Sequence, residues 1–218
     1  MAQPNRSLAG KGRPACRKMN NQSALLKQGL REQLRARVSE VSAAGRILRS
    51  GHARALLARQ RVWQEAKSVL FYAPLPDEID LLPLLHQALD EGKTVALPRF
   101  FPENGAYGAC QIENFSRDCA PGKFGVREPV PRCAIFPLNR LDLALVPGVG
   151  FDAAGHRLGR GKGYYDRILA EVAGTRCGVA FDEQMAEEIP AEPHDMPLNC
   201  ILTPTRWLEI PGPRPIFP

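Results

Sequence analysis

The first third of the chain has the spacing of hydrophobic residues that is typical of amphipathic helices. One series recurs every four residues and places its members along one helical face: Leu26, Leu30, Leu34 and Val38. A second series runs on toward Trp63 after a break that we place near Gly45. The pattern therefore predicts two helices between residue 23 and about residue 67.

From residue 68 onward, short apolar runs alternate with further helical patterns. Strands are predicted at 68–73, 94–97 (closed by Pro98), 141–146, 177–181 and 199–202, and helices at 81–90 and 163–172. A strand, a helix and a strand in succession are typical of a parallel crossover unit. The sequence thus predicts an α/β fold with three layers, in which helices cover both faces of a mostly parallel, Rossmann-like sheet.

Composition fits one globular domain and narrows the possible partners. The 218 residues are 44% hydrophobic and 24% charged, and none of the apolar runs approaches the roughly 18 residues of a membrane span. We expect a polar extension at 1–22, one α/β domain at 23–208 and a proline-rich tail at 209–218. Six cysteines without a C-x-x-C pair, and the lack of a signal-like start, favour reduced thiols and a cytoplasmic protein.

Positive charge is concentrated in the N-terminal third of the chain. The net charge is +6 overall, yet residues 1–67 carry 15 Lys and Arg against three acids. Such a block is compatible with nucleic acid, an anionic membrane or a phosphorylated ligand. Residues 1–60 contain no aromatic residue, which disfavours single-stranded nucleic acid. We predict neither a nucleic-acid partner nor a membrane.

A glycine-rich segment at 157–166 follows the predicted strand at 141–146 and leads into a helix. Its glycines allow backbone N–H groups to approach an anion, and its basic side chains and the following helix start add positive potential. Glycine spacing alone fits a flexible turn equally well. The segment also differs from the P-loop pattern, because Gly163 stands where Ser or Thr would contact magnesium. If magnesium binds, carboxylates must supply the oxygen ligands, and Asp166 and Asp195 are sufficient in principle. Taken alone, Asp166 fits an acid in the first turn of a helix and Asp195 fits a turn residue.

The run from Val146 to Asp166 resembles the signature of the 5-formyltetrahydrofolate cyclo-ligase (5,10-methenyltetrahydrofolate synthetase) family. Shorter similar pieces occur in the same order at 27–31, 72–80, 97–99, 122–129, 181–184 and 194–195. The resemblance covers about residues 23–206. It implies that ATP, with Mg²⁺, phosphorylates the formyl oxygen of 5-formyltetrahydrofolate and that N10 then attacks the formyl carbon. The products would be 5,10-methenyltetrahydrofolate, ADP and phosphate. We expect the protein to be a monomer.

The resemblance also implies roles for individual residues. Those expected to bind the nucleotide are Lys27, Arg31, Arg157, Leu158, Gly159, Arg160, Gly161, Lys162, Gly163, Tyr164 and Tyr165. Those expected to bind the folate are Ala73, Glu78, Phe124, Arg160, Gly161, Lys162, Gly163 and Tyr164. Lys162, Arg160 and Tyr164 are the expected catalytic residues, and Asp166 and Asp195 are the expected magnesium ligands.

Each of these roles has a simpler alternative. Lys27 and Arg31 fit solvated helix positions, Glu78 fits a helix cap, and Phe124 fits the core. At the level of the whole protein, the alternatives are a small-molecule kinase on the same scaffold, a nucleic-acid-binding module and a folate-binding protein without catalysis. The folate residue Glu78 and the segment 122–129 favour the cyclo-ligase over the kinase.

Overall fold

An eight-stranded sheet with helices on both faces organises the chain. The computed structural model describes residues 14–122, 125–192 and 195–211, with side chains from Ser23 onward. The helices are α1 (Pro14–Ser39), α2 (Ala43–Ala58), α3 (Arg61–Glu65), α4 (Leu82–Asp90), α5 (Phe115–Asp118) and α6 (Tyr164–Glu171), with 3-10 helices at Leu138–Arg140 and Asp182–Gln184. The strands are β1 (Ser68–Leu70), β2 (Thr94–Phe101), β3 (Ala106–Ile112), β4 (Cys119–Pro121), β5 (Arg127–Pro129), β6 (Ile135–Phe136), β7 (Leu143–Pro147), β8 (Gly150–Phe151), β9 (Arg157–Leu158), β10 (Thr175–Val179), β11 (Cys200–Leu202) and β12 (Trp207–Glu209).

The centre of the sheet is parallel and its two edges are antiparallel. The spatial order is β12-β11-β10-β7-β1-β2-β3-β6. Strands β2, β1, β7, β10 and β11 pair in parallel, whereas β12 at one edge and β3 and β6 at the other are antiparallel. Numbered by their sequence order among themselves, the five central strands have the doubly wound order 2-1-3-4-5. The side on which successive strands are added to the sheet changes between β1 and β7. Two small hairpins, β4–β5 and β8–β9, lie outside this sheet.

Alternate residues of each central strand enter two different cores. In β7, Leu143 and Leu145 pack into the cluster that α2, α3 and α4 cover, whereas Ala144 and Val146 pack into the cluster that α6 covers. Burial on both faces is the reason why these strands read as continuous apolar runs. The predicted three-layer α/β fold with a mostly parallel sheet is confirmed.

Helix α1 begins at Pro14, inside the segment that we predicted to precede the fold. Residues 1–13 and 212–218 lie outside the described residues. The break between the first two helices falls at residues 40–42, so its predicted place near Gly45 is wrong. The Oγ of Ser42 accepts a hydrogen bond from Gly45 N at 3.1 Å and caps α2, so that Gly45 lies in its first turn.

The strand that we closed at Pro98 continues through this proline to Phe101. Strand β1 pairs with β2 only as far as Ala96, so a residue without an N–H is tolerated beyond that point. The hairpin partner β3 was missed because its turn depends on Gly105, which has a φ of +66°. In the part of the chain that the structure describes, no helix is long and apolar enough to cross a membrane.

Candidate functional site

A cleft of about 720 Å³ opens at the carboxyl ends of β1 and β7. Tyr72 and Ala73, which follow β1, lie on one side, and Pro147 and Gly148, at the end of β7, lie on the other. This is the position where the strand order reverses, and ligands of open α/β sheets bind at such a switch point. The topology alone therefore places a ligand site here.

The glycine-rich loop, residues 159–163, connects the β8–β9 hairpin to α6 and forms one wall of the cleft. Gly161 and Gly163 have φ values of +96° and +63°, which residues other than glycine rarely adopt. Gly163 caps α6 without a side-chain hydrogen bond. The first N–H groups of α6 and its dipole therefore remain available to an anion.

A buried ion pair anchors this loop to the helix that follows. Arg157 Nη2 lies 2.7 Å from Asp166 Oδ1, and the Arg157 side chain is only 5% exposed. The guanidinium also lies 5.5 Å from the centre of the Tyr165 ring. Its Nε is buried and has no hydrogen-bond partner within the described residues. A buried donor without a partner is costly, so this arginine is held at some cost to the stability of the fold.

Helix α1 brings two more cations to the cleft. Lys27 Nζ lies 3.1 Å from Asp195 Oδ2 and 3.2 Å from Glu192 Oε1. One helical turn later, Arg31 Nε donates to the carbonyl oxygen of Gly159 at 2.9 Å. Burial, followed by repulsion from Arg35, lowers the pKa of Arg31. Side chains that are separated by more than 100 residues in sequence thus meet at one wall.

The opposite wall carries a buried carboxylate. Glu78 Oε1 accepts from Arg160 Nη2 at 3.1 Å and Oε2 accepts from Leu75 N at 3.0 Å. The Glu78 side chain is 8% exposed. Burial raises the pKa of Glu78, although the Leu75 N–H and the Arg160 charge oppose that increase. Glu78 therefore presents a partly desolvated acceptor pair to the cleft.

An aromatic cluster lies beside the glycine-rich loop, and sequence reasoning missed most of it. The rings of Tyr107 and Tyr164 are 4.7 Å apart, and Phe100 lies 5.3 Å from Tyr107. Glu128, which is buried, accepts from Tyr107 OH at 3.1 Å and from Phe100 N at 2.8 Å. Glu128 falls within the family-like segment at 122–129, and that position was the available signal. Tyr107 lies on β3, which had not been predicted as a strand.

The structure brings almost all of the predicted site residues together in this cleft. Its lining includes Lys27, Arg31, Ala73, Glu78, Arg157, Leu158, Gly159, Arg160, Gly161, Lys162, Gly163, Tyr164, Tyr165, Asp166 and Asp195. Phe124 lies outside the described residues. Residues that were not predicted but also line the cleft include Tyr72, Tyr107, Arg127, Glu128 and Glu192.

The two predicted magnesium ligands, Asp166 and Asp195, both face this cleft. No group of three or more His, Cys, Asp or Glu side chains within the described ranges is placed to hold a metal ion. Magnesium that is bound together with phosphates takes only one or two carboxylates and keeps water and phosphate oxygens as its other ligands. The residues present therefore fit a magnesium ion that enters with a nucleotide, rather than a metal site made by the protein alone.

Comparison with known proteins agrees with the resemblance in the sequence. The family model of 5-formyltetrahydrofolate cyclo-ligases matches residues 24–204. The 5-formyltetrahydrofolate cyclo-ligase of Mus musculus is 31% identical over 198 residues, covering 81% of this chain and 92% of the mouse protein. The Escherichia coli K12 protein of the same name is 33% identical over 150 residues, covering 66% of this chain and 81% of its own length.

Solved structures show the same architecture. The NMR structure of Aquifex aeolicus 5,10-methenyltetrahydrofolate synthetase superposes with a TM-score of 0.77 at 31% identity, covering 88% of this chain and 96% of that chain. The Mycoplasma pneumoniae 5,10-methenyltetrahydrofolate synthetase superposes with a TM-score of 0.66, covering 82% and 98%; at 22% identity it supports the fold alone. The resemblance is confirmed: the chain belongs to the 5-formyltetrahydrofolate cyclo-ligase family of enzymes.

Proposed function

We propose that the protein converts 5-formyltetrahydrofolate to 5,10-methenyltetrahydrofolate in a reaction that consumes ATP and requires Mg²⁺. One observation carries the proposal: cations from α1 and from the segment 157–162 converge on a single cleft that also contains the buried Glu78 carboxylate. The cationic wall suits a triphosphate, and the carboxylate suits a pterin. Family membership supports the same reaction.

The cations and carboxylates of the cleft are paired with each other, and this pairing fits a ligand that carries both signs of charge. Lys27 pairs with Asp195, and Arg157 pairs with Asp166. An unpaired buried charge is costly, so a bare anion would leave two carboxylates uncompensated. Phosphate oxygens of ATP would pair with the cations, and Asp166 and Asp195 would hold the Mg²⁺, whose charge would compensate both carboxylates.

The proposed nucleotide contacts follow from where the cations lie. Lys27, Arg31 and Arg157 would bind phosphates, together with the backbone of residues 158–163 and the start of α6. Arg160 contacts Glu78, and Lys162 and Tyr164, at the end of the loop and the start of α6, line the same cleft. We assign these three to the transferring phosphoryl group, where positive charge and hydrogen-bond donors stabilise developing negative charge.

The folate would occupy the other half of the cleft. An ionised Glu78 can accept two parallel hydrogen bonds from the amino and ring N–H groups of a pterin. Ala73 contributes a small side chain at the end of β1, and the paired rings of Tyr107 and Tyr164 offer a surface on which a flat ring can stack. The role of Phe124 against the folate remains a prediction.

The chemistry that we propose solves a leaving-group problem. The formyl oxygen of the substrate attacks the γ-phosphorus, ADP departs, and the oxygen becomes part of a phosphate ester. N10 then attacks the formyl carbon and loses its proton, and phosphate departs with the former formyl oxygen. The protein holds N10, the formyl group and the γ-phosphate in line, and this positioning is its main contribution to the rate.

The deciding experiment follows the absorbance of the methenyl product. Purified protein is incubated with 5-formyltetrahydrofolate, Mg²⁺ and ATP, and phosphate release is measured in parallel. We expect one phosphate per methenyl group and loss of turnover when EDTA removes the metal. A stable phosphorylated product would indicate a kinase instead, and absence of methenyl product with every nucleotide would reject the proposal.

We further propose that the active unit is a monomer. The residues of a single chain that line the cleft already include the cations of α1, the glycine-rich loop and the Glu78 carboxylate. Size-exclusion chromatography with light scattering, combined with activity measured across a range of protein concentrations, tests this point. Activity per chain that falls on dilution would contradict it.

A further inference from the structure

One guanidinium nitrogen joins the two walls of the cleft. Arg160 Nη2 lies 3.0 Å from Asp77 Oδ1, 3.2 Å from Asp77 Oδ2 and 3.1 Å from Glu78 Oε1. Arg160 belongs to the glycine-rich loop, and the two acids lie more than 80 residues earlier, in the loop between β1 and α4. The contact therefore links the proposed nucleotide loop directly to the proposed folate loop.

This contact occupies an atom that the folate needs. Glu78 Oε2 already accepts from the Leu75 N–H, and Oε1 accepts from Arg160. Two parallel hydrogen bonds from a pterin require both oxygens of the carboxylate. Each carboxylate oxygen has two lone pairs, so Arg160 competes with a pterin N–H for Oε1 rather than excluding it, and withdrawal of Arg160 makes Glu78 a stronger acceptor for the pterin.

Asp77 differs from Glu78 in its position. Glu78 is 8% exposed and lines the cleft, whereas Asp77 is 47% exposed and is not among the residues that line it. Asp77 nevertheless makes two of the three contacts to Arg160 Nη2. Its carboxylate thus stabilises the position of Arg160 over Glu78 without itself facing either proposed ligand.

We propose that Asp77 is a positioning residue, which holds Arg160 over Glu78 while the cleft is empty and releases it to the phosphates of ATP. The inference rests on the proposed function. In this proposal Arg160 Nη2 exchanges its contacts with the two acids for contacts with the phosphates. ATP binding therefore uncovers Glu78, and the nucleotide and the folate bind with positive coupling.

The coupling has a defined thermodynamic form. A ligand whose binding-competent state is only partly populated binds with an affinity that is reduced by that fraction. Removing Asp77 increases the fraction of molecules in which Arg160 is withdrawn. In the absence of the other ligand, ATP and the folate each then bind more tightly. The factor by which one ligand increases the affinity for the other therefore becomes smaller. Linkage requires that the folate increase ATP affinity by the same factor by which ATP increases folate affinity.

The test measures the dissociation constant of 5-formyltetrahydrofolate by calorimetry, with and without Mg²⁺ and a non-hydrolysable ATP analogue. For the wild type we expect at least about a fivefold increase in affinity when the analogue is present. For Asp77→Asn we expect an increase in affinity without nucleotide of about two- to fivefold, the range for a partly exposed ion pair. The effect of the analogue should shrink by the same factor. Asp77→Glu, which keeps the carboxylate, should restore the coupling.

A matched control separates this role from a general charge effect. Glu188→Gln also removes one exposed negative charge, and we expect it to keep the wild-type coupling factor. Equal coupling in Asp77→Asn and the wild type, or weaker folate binding in Asp77→Asn, would overturn the inference. Independent binding of the two ligands in a wild-type protein that forms methenyl product would reject the Asp77 role alone. No methenyl product from the wild type would reject the proposed function and, with it, this role.

Discussion

Replacement of Lys162 with alanine separates the catalytic use of the glycine-rich loop from its structural use. Lys162 is exposed and lines the cleft. No hydrogen bond or ion pair joins its side chain to the described part of the chain. Loss of this side chain therefore leaves no buried partner unsatisfied, and surface substitutions of this kind change the free energy of unfolding by about 0.5 kcal/mol or less.

The effect of Lys162→Ala on turnover should be much larger. In the proposed reaction the ammonium faces charge that develops on the transferring phosphoryl group, in a cleft that a bound folate closes to water. Removal of one preorganised donor from such a site costs about 2.7–4 kcal/mol, or roughly 10²–10³ in kcat. We expect that loss in the methenyl absorbance assay, together with an unchanged midpoint of urea unfolding.

Two comparisons make this prediction refutable. Lys67→Ala makes the same substitution at an exposed residue next to the amino end of β1. The cleft lies at the carboxyl ends of the strands, so this variant should keep full activity. Lys162→Arg keeps the charge and should retain part of the rate. Wild-type rates in Lys162→Ala would show that the loop is structural. A decrease in the free energy of unfolding as large as the increase in activation free energy would refute the assigned role as well.

Three further predictions concern the two walls and their support. Glu78→Gln should abolish tight folate binding in calorimetry, while ATP still binds. Burial raises the pKa of Glu78 above its ordinary value of 4.5. The substitution should therefore also increase the free energy of unfolding at pH 7, and this gain should disappear below about pH 4. Leu34→Ala should lower the free energy of unfolding by about 2–5 kcal/mol and raise the KM for ATP, because fully buried Leu34 packs α1 against Val149 and Leu158. Gly163→Ala should cost about 1–2 kcal/mol in urea unfolding, because its φ is +63°.

Each of these predictions has an outcome that contradicts it. The sign for Glu78 follows from linkage: a carboxyl whose pKa is raised by folding favours the folded state at low pH and opposes it at neutral pH. Lower stability of Glu78→Gln at pH 7 would therefore be inconsistent with a desolvated carboxylate. An unchanged KM for ATP in Leu34→Ala would show that the packing of Leu34 does not control the position of Lys27. A larger penalty for Gly163→Ala would indicate a steric clash, whereas a Cβ there meets no atom within 4 Å.

The apolar pattern was sufficient to predict the central sheet, because five parallel strands buried on both faces leave a strong signal. The edges were harder to predict. The strand β3 follows a turn at Gly105, and its seven residues do not show a regular alternation of buried and exposed positions. The course of β2 through Pro98 depends on where β1 stops pairing, and that is a property of the sheet rather than of the local sequence.

The residues of the candidate site were predicted from a motif and a resemblance. The hydrogen bonds and ion pairs between these residues could not have been predicted from the sequence. Lys27 meets Asp195 across 168 residues, and Arg160 meets Glu78 across 82. Glu128 and Tyr107, which form part of the aromatic wall, come from β5 and from β3. The first two contacts depend on how loops and α1 pack in three dimensions, and the contact between Tyr107 and Glu128 depends on the register of strands near the sheet edge. A single sequence records that register only weakly, because local propensity and turn chemistry do not specify it.

Pairing among the charged side chains of the cleft also explains how one site can hold so many charges without destabilising the fold. A cluster of cations that is ready for a triphosphate would repel itself and would lose hydration in a partly buried cleft. Asp195, Asp166 and Glu78 each offset the charge of one of these cations, Lys27, Arg157 and Arg160 respectively. The same three carboxylates are the ones to which we assign magnesium and the pterin. Each acid therefore has two uses, one before and one after the ligands enter, and replacement of any one of them should alter stability and ligand affinity together.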